Sequence, residues 1–410
     1  MDRRKFIQAA TLSGMGLIAV GKSAWAARSV EPATERKLIV VLLRGAVDGL
    51  NVVIPHGDPN YYQMRPTIAV PRPGQEDGAI DLDGYFGLHP ALISLQPLWQ
   101  QGKLAFVQAA GSPDPTRSHF DAQDFMESGT PGRKATADGW MNRLLGNLPG
   151  VSTPTRAISV GPVMPRILSG HMATTNIASG AAAGRPGVLD RPAIGTAFSK
   201  LYQGQDAMSH AYRDAQQAHL EVMSSLEDEM RNADNGAPPP NGFPVDASHV
   251  ARLMRNNPRI QLAFMALGGW DTHANEGAGK GQLANHLSPL GQGLATLARE
   301  LGPTFDDTTI VVMSEFGRTV RQNGNNGTDH GHGNVMWLLG GRIAGGKVHG
   351  DWPGLDENRL YEGRDLAVTT DFRTVLAQVA ERHLQLPDTR LEQIFPALPR
   401  QVKPLNLMRV

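Results

Sequence analysis

Four apolar runs of strand length limit what this chain can fold into. Lys37–Leu43 reads Lys-Leu-Ile-Val-Val-Leu-Leu, and comparable runs lie at Lys103–Ala110, Arg259–Leu267 and Thr309–Met313. The last is short, β-branched and unbroken by charge, the pattern of a parallel strand buried on both faces. Between the first two runs, Leu88–Gln101 has apolar residues at helical spacing and stops at Gly102. Strand, crossover helix, strand implies a parallel sheet. Arg156–Val160 and Asn334–Leu339 are expected to add strands, and helices are expected at Leu283–Leu301, at Asp371–Gln385 and ahead of Gly129. The fold class read from this order is α/β, a central, mainly parallel sheet sandwiched by helices.

Open α/β sheets bind ligands in the crevice outside the carboxyl ends of their strands. Here those ends carry the reactive side chains. The first run leads to Asp48 in the loop Arg44–Asn51, where a glycine-bounded turn and a ligand role explain the acid equally well. The second leads to Thr116-Arg117-Ser118-His119 at the start of a helix, where a hydroxyl can cap the helix or attack a bound electrophile. The third leads to Gly268-Gly269-Trp270-Asp271-Thr272-His273, whose acid and imidazole can converge on one ion. The fourth leads to Ser314-Glu315-Phe316-Gly317-Arg318-Thr319 and then Thr328-Asp329-His330-Gly331-His332-Gly333-Asn334. Carboxylate with imidazole suits a divalent metal, and Arg318 suits an anionic oxygen.

Composition narrows the chemistry. The chain has no cysteine, which excludes disulfides, thiolate ligands and cysteine nucleophiles. Lys plus Arg and Asp plus Glu both number 39, so nothing advertises a nucleic-acid surface. No Gly-x-Gly-x-x-Gly follows a strand, which argues against a dinucleotide cofactor.

At the N-terminus, Asp2-Arg3-Arg4-Lys5-Phe6-Ile7 precedes the apolar stretch Ala9–Val20 and the small-residue site Ala24-Trp25-Ala26. Residues 1–26 are expected to be a signal peptide resembling a twin-arginine signal, recognised by its translocon and leaving no permanent membrane anchor. Residues 27–410 then form one exported domain, periplasmic or secreted. It is expected to carry a loop-rich insertion at 161–192, a helical insertion at 196–233 and a Pro-rich linker at 235–244. His219 on the helical stripe of that insertion and His210 off it read as packing or surface residues.

The motifs at 117–123, 268–275, 314–319 and 328–334 together resemble the bacterial domain-of-unknown-function 1501 family, whose fold is similar to that of the alkaline phosphatase and sulfatase superfamily. The resemblance implies an exported, metal-dependent hydrolase of phosphate or sulfate esters, acting on a small anionic ester or a sulfated or phosphorylated polymer. It makes Ser118, or Thr116, the nucleophile position and Asp48, Asp271 and His273 ligands, with His332, Asp329 and His330 as the closing group. The implied cofactor is a divalent metal: zinc, manganese or calcium. Where that superfamily usually has Asp-His, this chain has Glu315-Phe316, leaving Glu315 to ligate, to act as general base or to orient Arg318. Two other classes are open: a non-catalytic periplasmic binding or assembly protein on a degenerate hydrolase fold, and an iron protein using two histidines and one carboxylate.

Overall fold

The structure is a computed structural model that describes residues 19–20, 23–24, 36–134, 136–179, 233–399 and 404–409. The chain divides into two compact units, Met1–Thr34 with Pro149–Val151 and Glu35–Leu148 with Ser152–Val410. In the first, the described strands are Ala19–Val20 and Ser23–Ala24, paired antiparallel. The rest of the signal segment, residues 180–192 of the loop-rich insertion, His210, His219 and nearly all of the helical insertion lie outside the described residues. Among the described residues no helix is long and apolar enough to cross a membrane.

The second unit is built on a nine-stranded sheet. Its strands are β1 (Lys37–Leu43), β2 (Leu104–Gly111), β3 (Ala157–Val160), β4 (Thr175–Ile177), β5 (Leu262–Leu267), β6 (Thr308–Ser314), β7 (Asn334–Gly340), β8 (Lys347–His349) and β9 (Thr370–Asp371). The order across the sheet is β8-β2-β7-β6-β1-β5-β3-β4, with β9 also on β2. Every pairing is parallel except those of β7, which runs against both β6 and β2. The sheet is therefore mixed and mostly parallel, as the runs predict.

Burial on both faces explains why those runs are continuously apolar. In β1, Ile39, Val41 and Leu43 join one core and Leu38, Val40 and Leu42 the other. Among the helices are α1 (His119–Ser128), α2 (Trp140–Asn147), α3 (Phe243–Asn256), α4 (Gln282–Leu301) and α5 (Phe372–Gln378). The first core takes α3 and α4, whose Leu283, Leu287, Leu290, Leu294 and Leu297 are all buried, and the second takes α2 and α5.

Two segments depart from expectation. The crossover at 88–101 is a 3-10 helix, Pro90–Leu95, followed by a short α-helix, Gln96–Gln100, because Pro90 and Pro97 each withhold a backbone donor. Residues 235–244, expected as a linker, are docked: Arg44 donates to the Asn235 carbonyl at 3.0 Å, Gly268 N–H to the Pro238 carbonyl at 2.9 Å, and Phe243 is buried in the core.

Register sets the site. Leu43 of β1 pairs with Leu267 of β5 and with Ser314 of β6, so three loops leave the sheet at one level. Because β7 is antiparallel, its first residue Asn334 lies beside Ala110 near the end of β2. The segments holding residues 119, 271–273, 315 and 330 thus meet at a single edge.

Candidate metal centre

The innermost part is a buried histidine held by a buried acid. Ser118 is the N-cap of α1, and its Oγ accepts loosely from Asp121 N–H at 3.5 Å. His119 follows inside the first turn, 7% exposed, and its Nδ1 lies 2.8 Å from Oε1 of Glu315. Glu315 is fully buried directly after β6, and the same oxygen accepts from Gly45 N–H at 2.8 Å and Gln123 Nε2 at 3.0 Å. Burial alone would raise the Glu315 pKa, but the hydrogen bond and charge of His119 outweigh it and hold this carboxylate low. Gly45 makes the approach possible: its φ is +110°, and a Cβ there would meet the backbone nitrogen of Asp271 at 2.8 Å.

Two further imidazoles arrive from loops. His273 Nδ1 lies 3.3 Å from Oδ1 of Asp329, and His330 Nδ1 lies 2.9 Å from the Arg117 carbonyl. Each of the three Nδ1 atoms thus faces an oxygen that can only accept, so in the neutral ring Nδ1 carries the proton and Nε2 a lone pair. The three Nε2 atoms converge. His330 Nε2 is 2.9 Å from that of His119 and 3.0 Å from that of His273. Oδ1 of Asp271 completes the cluster, at 3.0 Å from His273, 3.3 Å from His330 and 3.5 Å from His119.

Three lone pairs and a carboxylate oxygen turned on one another repel unless a cation sits among them. Donors sharing an ion at about 2.0–2.2 Å stand roughly 3.0–3.5 Å apart, the spacing found here. His119, Asp271 and His330 by themselves form a group that can hold an ion, and His273 extends it. The same demand for positive charge shows in titration. Burial pushes the His119 pKa down, yet hydrogen bonds and charges from Asp271 and Glu315 win and raise it to about 9. Burial pushes Asp271 up, yet His119, His330 and Arg318 hold it well below the usual carboxylate range.

The other expected residues are placed differently. Arg318 is fully buried and points inward, donating to the carbonyls of Gly45, Ala46, Trp270 and Thr328 and to Asp271, so it ties strand-end loops together instead of facing a ligand. Asp48 is buried in a two-oxygen ion pair with Arg65, which also donates to Asn51 and to the Thr319 carbonyl. Its carboxylate is used up by that guanidinium and stands outside the cluster. Asn51 in turn donates to Glu276 at 3.2 Å, whose other oxygen accepts from Thr272 and Thr328 at 3.0 and 2.9 Å.

Of the expected closing group, His330 joins the cluster, whereas the His332 ring packs 4.6 Å from that of Tyr361. Burial lowers the His332 pKa, as suits a neutral packed ring. Asp329 is an orienting partner of His273. Thr116 Oγ1 accepts from Ser118 N–H at 3.3 Å, and Ser118 itself is exposed. His119 was not among the candidate ligands read from the sequence, although it adjoins Ser118 at a strand end, the position that marked the other candidates.

The sequence pattern described as "Protein of unknown function (DUF1501)" matches residues 102–395. No curated protein matches the chain. Among solved structures, a putative sulfatase from Bacteroides thetaiotaomicron is similar at 9% identity and a TM-score of 0.40, covering 90% of this chain and 77% of that one. The C-terminal periplasmic domain of EcEptC from Escherichia coli is similar at 11% identity and a TM-score of 0.34, covering 74% and 72%. A protein in the alkaline phosphatase superfamily from Vibrio parahaemolyticus is similar at 10% identity and a TM-score of 0.33, covering 76% and 62%. At such scores the chemistry has to be argued from this chain's own side chains.

Proposed function

The chain belongs to the DUF1501 family, and we propose that it is an exported, metal-dependent hydrolase of phosphate or sulfate esters. One observation carries the reading: three imidazole lone pairs and the Asp271 carboxylate converge at the carboxyl edge of the sheet. His119, Asp271, His273 and His330 would hold the ion. Three nitrogens with one oxygen favour zinc or manganese over calcium, which prefers an all-oxygen shell. Such an ion supplies Lewis acidity toward an ester oxygen and a lowered pKa for a nearby hydroxyl or water.

The chain's own groups supply the rest. Ser118 offers an exposed hydroxyl at the N-terminus of the ten-residue helix α1, whose partial positive charge favours an anionic ester. Glu315 keeps His119 in the tautomer that presents Nε2 to the centre. Arg318 holds three strand-end loops together and stays out of reach of substrate.

That inward turn of Arg318 also favours a second reading, a metal-binding protein without turnover, because the guanidinium expected to face the ester is spent on backbone carbonyls and Asp271. Elemental analysis of protein purified without chelator, with phosphate- and sulfate-ester assays of wild type and Asp271→Ala, separates the two. Stoichiometric metal and turnover that both vanish in the variant support the hydrolase. Metal without turnover on either ester class moves the assignment to a binding or assembly role, and a folded wild type that binds no metal removes both.

A further inference from the structure

The loop Arg321–Gly327 lies over the outer side of the centre, and one of its residues is wired into the ligands. Nδ2 of Asn323 donates to the His273 carbonyl at 2.9 Å and to Oδ1 of Asp329 at 3.0 Å. Oδ1 of Asn323 accepts from the backbone N–H groups of Asn325 and Gly327, at 2.9 and 3.1 Å. The Asp329 oxygen that receives this bond also faces Nδ1 of His273. One amide therefore fixes the backbone of a ligand and the carboxylate that sets its tautomer, while its other end fixes the turn leading to Thr328, Asp329 and His330. Gly327 packs into the same seam, where a Cβ would lie 2.5 Å from the His273 carbonyl.

We infer that Asn323 is a positioning residue for this centre, holding His273 in register with His330 and Asp271. The inference rests on the metal reading for its consequence, but the tie itself can be tested without metal. Asn323→Asp is the selective variant. It keeps the oxygen that receives Asn325 and Gly327 and replaces the donor with a second carboxylate facing Asp329 and the His273 carbonyl, where like charges and unmatched acceptors repel. Asn326→Gly is the control, since Asn326 has a φ of +55° and its side chain accepts from Thr67, away from the ligands.

The probe is cobalt(II), whose visible bands report its ligand set, measured beside hydrogen exchange of the metal-free proteins. Asn323→Asp should weaken cobalt binding about tenfold, the low end of the cost of losing an outer-shell partner, because it removes the donor and sets a second carboxylate against Asp329, and it should change the band pattern. Asn326→Gly should leave both as in wild type. Unchanged affinity and spectrum in Asn323→Asp overturn the inference. Should the wild type take up no cobalt, the metal reading fails and exchange decides: faster exchange at residues 272–275 and 327–330 in Asn323→Asp sustains the tie, and unchanged exchange overturns it.

Discussion

His119 and His273 perform the same task on opposite sides of the cluster, in opposite surroundings. The His119 side chain is 7% exposed and leans on a Glu315 that is wholly buried and pinned by Gly45 and Gln123. The His273 side chain is 43% exposed and leans on an Asp329 that is 56% exposed and shares its oxygen with Asn323. Where water is excluded, a charge–hydrogen-bond pair is strong and its loss leaves unmatched polar groups; where water reaches, solvent replaces most of what is lost. The inner side of the centre is therefore a feature of the fold, and the outer side is a feature of two loops.

The largest expected effect tests that division directly. Glu315→Ala strips His119, Gly45 N–H and Gln123 of a buried acceptor and should destabilise the protein by about 3–5 kcal/mol, as breaking one side of a buried pair does. Denaturant unfolding reads this, and a cost no greater than that of Asp329→Ala would erase the contrast. Glu315→Gln keeps the shape but not the charge. We expect it to weaken zinc about 10–100-fold, against less than about tenfold for Asp329→Asn, by titration at one pH. Equal losses would mean that burial does not set the strength of these ties.

Titration sharpens the same contrast. In the metal-free protein the His119 pKa stands at about 9, above its ordinary value near 6.5. A pKa raised by folding stabilises fully below the ordinary value, and that contribution is lost as pH rises through the folded one. Metal-free protein should lose on the order of 3 kcal/mol between about pH 6.5 and 9 from this group. The expected signature is a melting temperature that falls across that window, with the fall absent in His119→Gln. A fall of equal size in His119→Gln would assign the effect elsewhere.

The two sides also differ in how far sequence discloses them. The sheet was legible because strands buried on both faces are apolar along most of their length, as β1, β2, β5 and β6 are apart from Lys37, Gln108, Thr308, Thr309 and Ser314. Asp271, His273 and His330 were legible as acid and imidazole beyond a strand's end. Which histidine closes the cluster was not: His332 is diverted by Tyr361, and Asp48 by Arg65, partners that only the folded chain brings near. The reversed direction of β7 was equally hidden, since an apolar run has no arrow. His119 is hidden in the sequence because Ser118 beside it is the more conspicuous reactive group, and its partner Glu315 lies 196 residues away.

The smallest expected effect belongs to the exposed tie. Asp329→Asn retains an oxygen that can accept from Asn323 or from His273 and removes only a charge that water already screens. Its cost to stability should be about 0–1 kcal/mol at low salt, and smaller still at 1 M salt, where screening acts over roughly 3 Å. Burial raises the Asp329 pKa, but Asn323 and His273 together hold it low, so the carboxylate is ionised at neutral pH and the charge is present to be lost. Chemical unfolding at both salt concentrations measures the difference. A loss above about 2 kcal/mol, unmoved by salt, would show that the outer loops are bound as tightly as the sheet edge beneath them.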